Sequence, residues 1–153
     1  MTPKEHIKNL LVLHLALLAG QLMILGMMSF FVVESITFEV NETSQLFYII
    51  GIVAIIGGLF LSEFLFNRLK SQISPELSLS QKLEQYRSAF IVRDALREGP
   101  GLINIIFFAF IESNVIFLAG AILIILIFLL TIPSQNSIIS HLNLTRSEAD
   151  QLV

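Results

Sequence analysis

At 153 residues, 55% of them hydrophobic and 14% charged, the chain carries little more than half the roughly 25% charged content of an ordinary soluble domain. A chain of this length cannot bury so much apolar surface in its own interior and still offer a wetted exterior, so a mean hydropathy of +0.82 excludes a soluble globule and points to lipid as the solvent. The absence of Cys removes disulfides, thiolate catalysis and Cys-held metal or haem, and a net charge of −3 leaves no basic footprint for nucleic acid.

A spanning helix needs about 20 mostly apolar residues, because the hydrocarbon core is ~30 Å thick and each helical residue rises ~1.5 Å. The first such stretch predicts a span over residues 9–33, with Lys4 and Lys8 before it and Glu34 after it. The second covers 46–66 and is closed by Asn67 and Arg68. Next, Ser74 with Pro75, and Ser78 with Gln81 three residues on, read as helix starts. Leu79, Leu83, Tyr86 and Phe90 then share one helical face, which predicts a cytoplasmic linker helix over 75–90 lying on the membrane surface or on a partner helix. The third span is unlike the others. Its uninterrupted apolar run, 102–111, is ten residues long, and extending it back to give 90–112 brings in Arg93, Asp94, Arg97 and Glu98. The fourth, 114–132, has no charge and stops at Pro133, which lacks the N–H a continuing helix would use. In the tail, 133–153, Thr145 and Glu148 form a capping-box pattern that predicts a short helix from Arg146. The expected fold is all-α: a polytopic membrane protein with four transmembrane helices in a bundle, one membrane domain over 1–153.

All nine Lys and Arg fall on one side when four spans are drawn, while Glu34, Glu39, Glu42 and Glu112 fall on the other. The positive-inside rule then places both termini and the loop 67–88 in the cytoplasm, and 34–45 and the turn Glu112-Ser113-Asn114 outside. The first apolar run is too long for a signal h-region and no A-x-A-like site follows it, so cleavage is not expected.

Ionisable groups inside a span are costly and are the default functional candidates in a membrane protein. Here they concentrate in the inner third of the spans: His14, Glu63, Asp94, Arg97 and Glu98. On a straight helix Asp94, Arg97, Glu98, Gly101 and Asn104 fit within an arc of about 120°, so one side of span three is polar to mid-membrane. His14 and Gln21 give span one a matching stripe, since a spacing of seven drifts by only ~20°. Gln21 is expected at the depth of Asn104, and His14 at that of Glu98. Gly99-Pro100-Gly101 interrupts span three beside these charges, and Pro100 is expected to kink the helix and free the Leu96 carbonyl. Two readings of the cluster stand: a proton- or ion-responsive site with Glu98 titrating, or a packing cluster of Asp94–Arg97 and His14–Glu98 pairs.

Small residues let helices approach closely where lipid gives no hydrophobic drive. Gly51, Ala54, Gly58 and Ser62 form such a stripe on span two, and Ala16 and Gly20 on span one, with intramolecular packing weighed above a subunit interface. With its small face opposite its polar face, span one is expected to be the central helix. Enzyme templates are missing: there is no H-E-x-x-H, P-loop, G-x-S-x-G or G-x-G-x-x-G. No cofactor, metal site or enzymatic activity is expected.

At Tyr86-Arg87, Ile91-Val92-Arg93, Ala95-Leu96-Arg97-Glu98-Gly99-Pro100-Gly101-Leu102 and Pro133-Ser134, the chain resembles a group of small uncharacterised four-span inner-membrane proteins of Bacteroidota. That resemblance implies a bacterial inner membrane and brings no activity with it. A weaker likeness is to the proteolipid c subunit of rotary ATPases, whose ion-carrying helix has a similar Ala-Leu-x-Glu; it would make Glu98 the carrier. It is not adopted, because the glycine-repeat helix is missing and Pro100 follows Glu98. The expected function is a non-enzymatic accessory or scaffold subunit that binds a membrane partner or its own copies through the polar faces of spans one and three. The alternative is a proton- or ion-coupled transport component using Glu98.

Overall fold

The computed structural model describes residues 2–152. Its elements are α1 (Pro3–Phe31), α2 (Gln45–Ser71), α3 (Leu79–Phe110), α4 (Val115–Leu130), α5 (Gln135–Leu142) and α6 (Arg146–Ala149), with a single 3-10 turn at Glu42–Ser44. The protein is all-helical among the described residues, apart from one isolated bridge between Thr37 and Asn114.

Helix starts follow local chemistry. Thr2 and Glu5 form a reciprocal capping box ahead of Pro3, whose missing N–H is harmless in a first turn. Ser78 with Gln81 does the same for α3, and Thr145 with Glu148 for α6. Pro75 starts no helix: it lies in a turn closed by Leu77 N donating to Ser74 O, and the helix begins at Leu79. The separate linker helix and third span are in fact one 32-residue helix.

Pro100 lies inside that helix, which continues for ten residues beyond it to Phe110. The Leu96 carbonyl, which Pro100 cannot serve, faces Gly58 of α2: a Cβ built there would lie 3.1 Å from that oxygen and would overlap the Pro100 ring. The missing side chain at Gly58 lets α2 and α3 approach closely at this point. The stripe on α2 therefore packs inward. Gly51 and Ser62 are buried and Ala54 and Gly58 partly so.

The stripe on α1 does not pack this way. Ala16 is exposed, and a Cβ at Gly20 would meet no atom within 4 Å. The central helix is correspondingly α3, which packs against α1, α2 and α4, and not α1. The polar side of α1 found its partner in α3, while its small side was left facing out.

By length and composition α1 and α2 can each cross a membrane. A third crossing exists if α4 and α5, bent by 81° across Pro133, count as one broken span. With 16 residues, α4 reaches only about 24 Å by itself. In α3 the charges from Arg93 to Glu98 interrupt the apolar run. The exterior carries large exposed apolar side chains, among them Phe30 (82%), Phe60 (71%) and Leu130 (84%), a surface that fits lipid.

The two ends of the helices are closed differently. At the end carrying the chain termini, Leu79, Leu83, Tyr86 and Phe90 are all buried and pack against Leu10, Phe66, Ile138 and Leu152. The stripe on the start of α3 thus covers helices of its own chain. Lys82 Nζ donates to Glu148 at 2.7 Å and ties α6 down. Glu148 is held below the usual carboxylate range, first by that hydrogen bond. At the opposite end Thr37 N donates to Ser113 O (2.8 Å), Asn114 Nδ2 to Glu39 O (2.7 Å) and Tyr48 OH to Glu112 (2.5 Å). These bonds pin the loop 32–44 across the turn before α4.

Substituting Gly58 tests the α2–α3 contact. Gly58→Ala is expected to destabilise by about 1–3 kcal/mol through overpacking against Pro100. Gly57→Ala, with nothing within 4 Å of its new Cβ, should be neutral or stabilising. Thermal unfolding in detergent that ranks the two alike would refute the contact.

Candidate functional site

The polar groups of α1, α3 and α4 meet in one place. His14 and Asp94 are both fully buried, with Nδ1 2.6 Å from Asp94 Oδ2 and Nε2 3.0 Å from the Phe128 carbonyl. A carbonyl can only accept, so Nε2 carries a proton. The Nδ1···Oδ2 contact needs a second proton, on either atom. The pair therefore holds two protons between it and is neutral overall, as imidazolium with carboxylate or as imidazole with carboxylic acid. Phe128 stacks on the imidazole at 5.1 Å and Phe90 meets its edge at 5.8 Å. One side chain of α1 thus joins α3 and α4 inside an aromatic sleeve.

One level further in, Gln21 is fully buried with both amide atoms unpartnered, and its Oε1 would lie 2.8 Å from a Cβ at Gly101. A side chain there would have to displace that amide and would press on Ile124 at 3.0 Å. Asn104 Nδ2 donates to Pro100 O (2.9 Å) and Gly51 O (3.3 Å), bridging α3 to α2.

Toward the terminal end, Arg97 donates from Nη1 to Thr131 Oγ1 (2.9 Å) and from Nη2 to Glu63, whose side chain is 48% exposed. This links α3 to α4 and α2. Arg93, one turn earlier, lies 3.6 Å from Asp94 Oδ1 through Nε, and its guanidinium carbon sits 4.1 Å and 4.5 Å from the centroids of Phe90 and Phe66. Tyr86 OH is 2.8 Å from His141 Nδ1 of α5. Burial raises the Tyr86 hydroxyl to about 12, and burial first, then Lys70 and Arg93, lowers His141 below the ordinary imidazole value. Tyr86 is accordingly a fixed donor and His141 a neutral acceptor at neutral pH.

Of the residues picked out by sequence, His14, Gln21, Asp94, Arg97, Gly101 and Asn104 are buried, and Glu63 joins them through Arg97. The pairing differs from expectation. His14 meets Asp94 and not Glu98, Gln21 meets Gly101 and not Asn104, and Arg97 meets Glu63 and not Asp94. The first two differences are one error: α1 sits about one turn off the register assumed from the apolar boundaries. Glu98 is half-buried and accepts no hydrogen bond among the described residues; Gly99 points into open space. The polar faces of α1 and α3, expected to take a partner, close on each other.

Sequence reasoning passed over Arg93, Thr131 and His141. For Arg93 the signal was present, since Tyr86, Phe90, Arg93 and Arg97 recur at helical spacing and share one face. For His141 no local pattern exists, because α5 folds back from beyond Pro133. Among the described residues no group of three or more His, Asp or Glu side chains converges as a metal site would require. No family model, curated protein or solved structure matches the chain.

Proposed function

We propose that this chain is a non-enzymatic integral protein of a bacterial inner membrane, crossing it four times with both termini in the cytoplasm, and that it serves as an accessory or scaffold subunit. The observation that carries this reading is the neutral, closed His14–Asp94–Phe128 contact. It uses the costliest groups of the spans to hold helices together. A scaffold needs such rigidity, and a catalytic centre needs groups left open to substrate. The orientation rests on charge: the end that gathers the termini holds Lys4, Lys8, Arg68, Lys70, Lys82 and Arg87.

With the polar faces closed on each other, the surface left for a partner helix or a second copy is the exterior of α1. There Ala16 is exposed and the space above Gly20 is open, so a second backbone could come close. The transport reading keeps one observation in its favour, the half-buried Glu98 without a hydrogen-bond partner among the described residues.

Mild extraction of the native membrane followed by sizing tests the scaffold reading. Gly20→Leu should release the co-purifying partner or copy while leaving the monomer folded, and Glu98→Gln should leave the complex intact. Retention of the complex in Gly20→Leu, together with pH-driven flux that Glu98→Gln abolishes, would replace the scaffold reading by the transport one. Topology is tested by labelling, which the Cys-free sequence makes clean. Glu42→Cys is expected to react from outside intact cells and Ser78→Cys only after permeabilisation, and the reverse pattern would overturn the orientation.

A further inference from the structure

A cavity of about 390 Å³ opens between α2, α3, the end of α4 and the start of α5. Its wall includes Arg93, Arg97, Glu63, Thr131, Ser134 and Ser137. Two guanidinium groups against one carboxylate leave it a surplus positive charge. Arg97 is occupied at both terminal nitrogens, by Thr131 and Glu63. Arg93 is not: it is 6% exposed, its Nε is buried without a hydrogen-bond partner, and none of its N–H groups donates to an acceptor among the described residues.

An arginine this buried normally has its donors filled, because an unpaired charged donor in a low-dielectric setting is strongly unfavourable. The rings of Phe66 and Phe90, set at 83° to each other, lie 4.5 Å and 4.1 Å from the guanidinium carbon and hold its charge by cation–π attraction without using any of its N–H donors. The nearest carboxylate, Asp94, gives one oxygen to His14, and its other oxygen lies 3.6 Å from Arg93 Nε, near enough to balance charge but too far for a hydrogen bond. The other wall of the cavity is the start of α5. Ser134 and Ser137 cap it reciprocally, with Ser137 N donating to Ser134 Oγ at 3.2 Å, so the positive end of that helix borders the same space.

We infer that this cavity binds a phosphate group, with the Arg93 fork as its donor and the positive end of α5 beside it. Planar, bidentate donation matches phosphate oxygens. Arg93 lies about 25 Å along α3 from Phe110 at ~1.5 Å per residue, which under the membrane reading above puts the site near the hydrocarbon boundary, at headgroup depth. The phosphate of an anionic lipid and a soluble phosphate present the same chemistry to it.

Calorimetric titration of the purified full chain in maltoside micelles separates the sources. One arm uses inorganic phosphate against chloride at equal ionic strength, and the other a short-chain phosphatidylglycerol. Saturable binding of phosphatidylglycerol alone assigns a lipid headgroup, binding of inorganic phosphate alone assigns a soluble phosphate, and binding of both assigns recognition of the phosphate itself. In each case Arg93→Gln should weaken binding about tenfold or more, the loss expected for one charge-assisted contact. Arg87→Gln, the same charge change on the same helix but outside the cavity wall, should leave it unchanged. Should Arg93→Gln fail to fold, Ser137→Asp gives the answer: an acid at that position suits the helix start, yet sets a carboxylate in the cavity wall and should abolish binding. Absence of saturable binding in both arms, equal loss in Arg93→Gln and Arg87→Gln, or undiminished binding in Ser137→Asp would each overturn the inference.

Discussion

His14 reaches a hydrogen-bond partner with each of its ring nitrogens, and both partners belong to other helices. That constraint orders much of the rest. Because Nε2 donates to the Phe128 carbonyl, which also accepts from Thr131 N, the imidazole cannot turn without leaving its own buried N–H unpaired, and because Asp94 is fully enclosed it cannot find water instead. Removing either partner of a buried pair generally costs about 3–5 kcal/mol, while a well-made pair adds little over an apolar substitute. Such a contact therefore specifies the helix arrangement more than it strengthens it. Here it sets the register of α1 against α3 and of both against the final turn of α4.

The consequences run outward in both directions. Fixing α1 on α3 at Asp94 brings Gln21 to Gly101, where the lack of a side chain makes room for its amide. Arg97, three residues past Asp94 on α3, then lies beside Thr131 at the end of α4 and Glu63 of α2. Arg93 lies at the junction of the polar core with the cavity under α5. The glycine stripe of α2 fits where Pro100 has freed a carbonyl, so that a residue which ordinarily breaks helices becomes the site of closest packing.

Much of this arrangement was written locally. Apolar length located α1 and α2, capping boxes located the starts of α3 and α6, and the inventory of His14, Gln21, Asp94, Arg97 and Asn104 was readable from helical spacing. Register was not readable. The start of the apolar run predicts a depth for His14, but α1 starts at Pro3 and carries charged residues well before that run, so a shift of one turn exchanges Glu98 for Asp94. Continuity of α3 was also hidden, since Pro100 reads as a break unless the glycine that covers Leu96 on another helix is known. The place of His141 depends on an 81° bend after α4, and nothing local encodes what that bend approaches.

The central claim is that His14 and Asp94 act as one unit. A double-mutant cycle on unfolding in detergent, with His14→Ala, Asp94→Ala and the double variant, tests it most directly. Each single change leaves a buried polar group unpaired, so the double variant should be less destabilised than the sum of the two by about 1.5–3 kcal/mol. Additivity within about 0.5 kcal/mol would contradict the account.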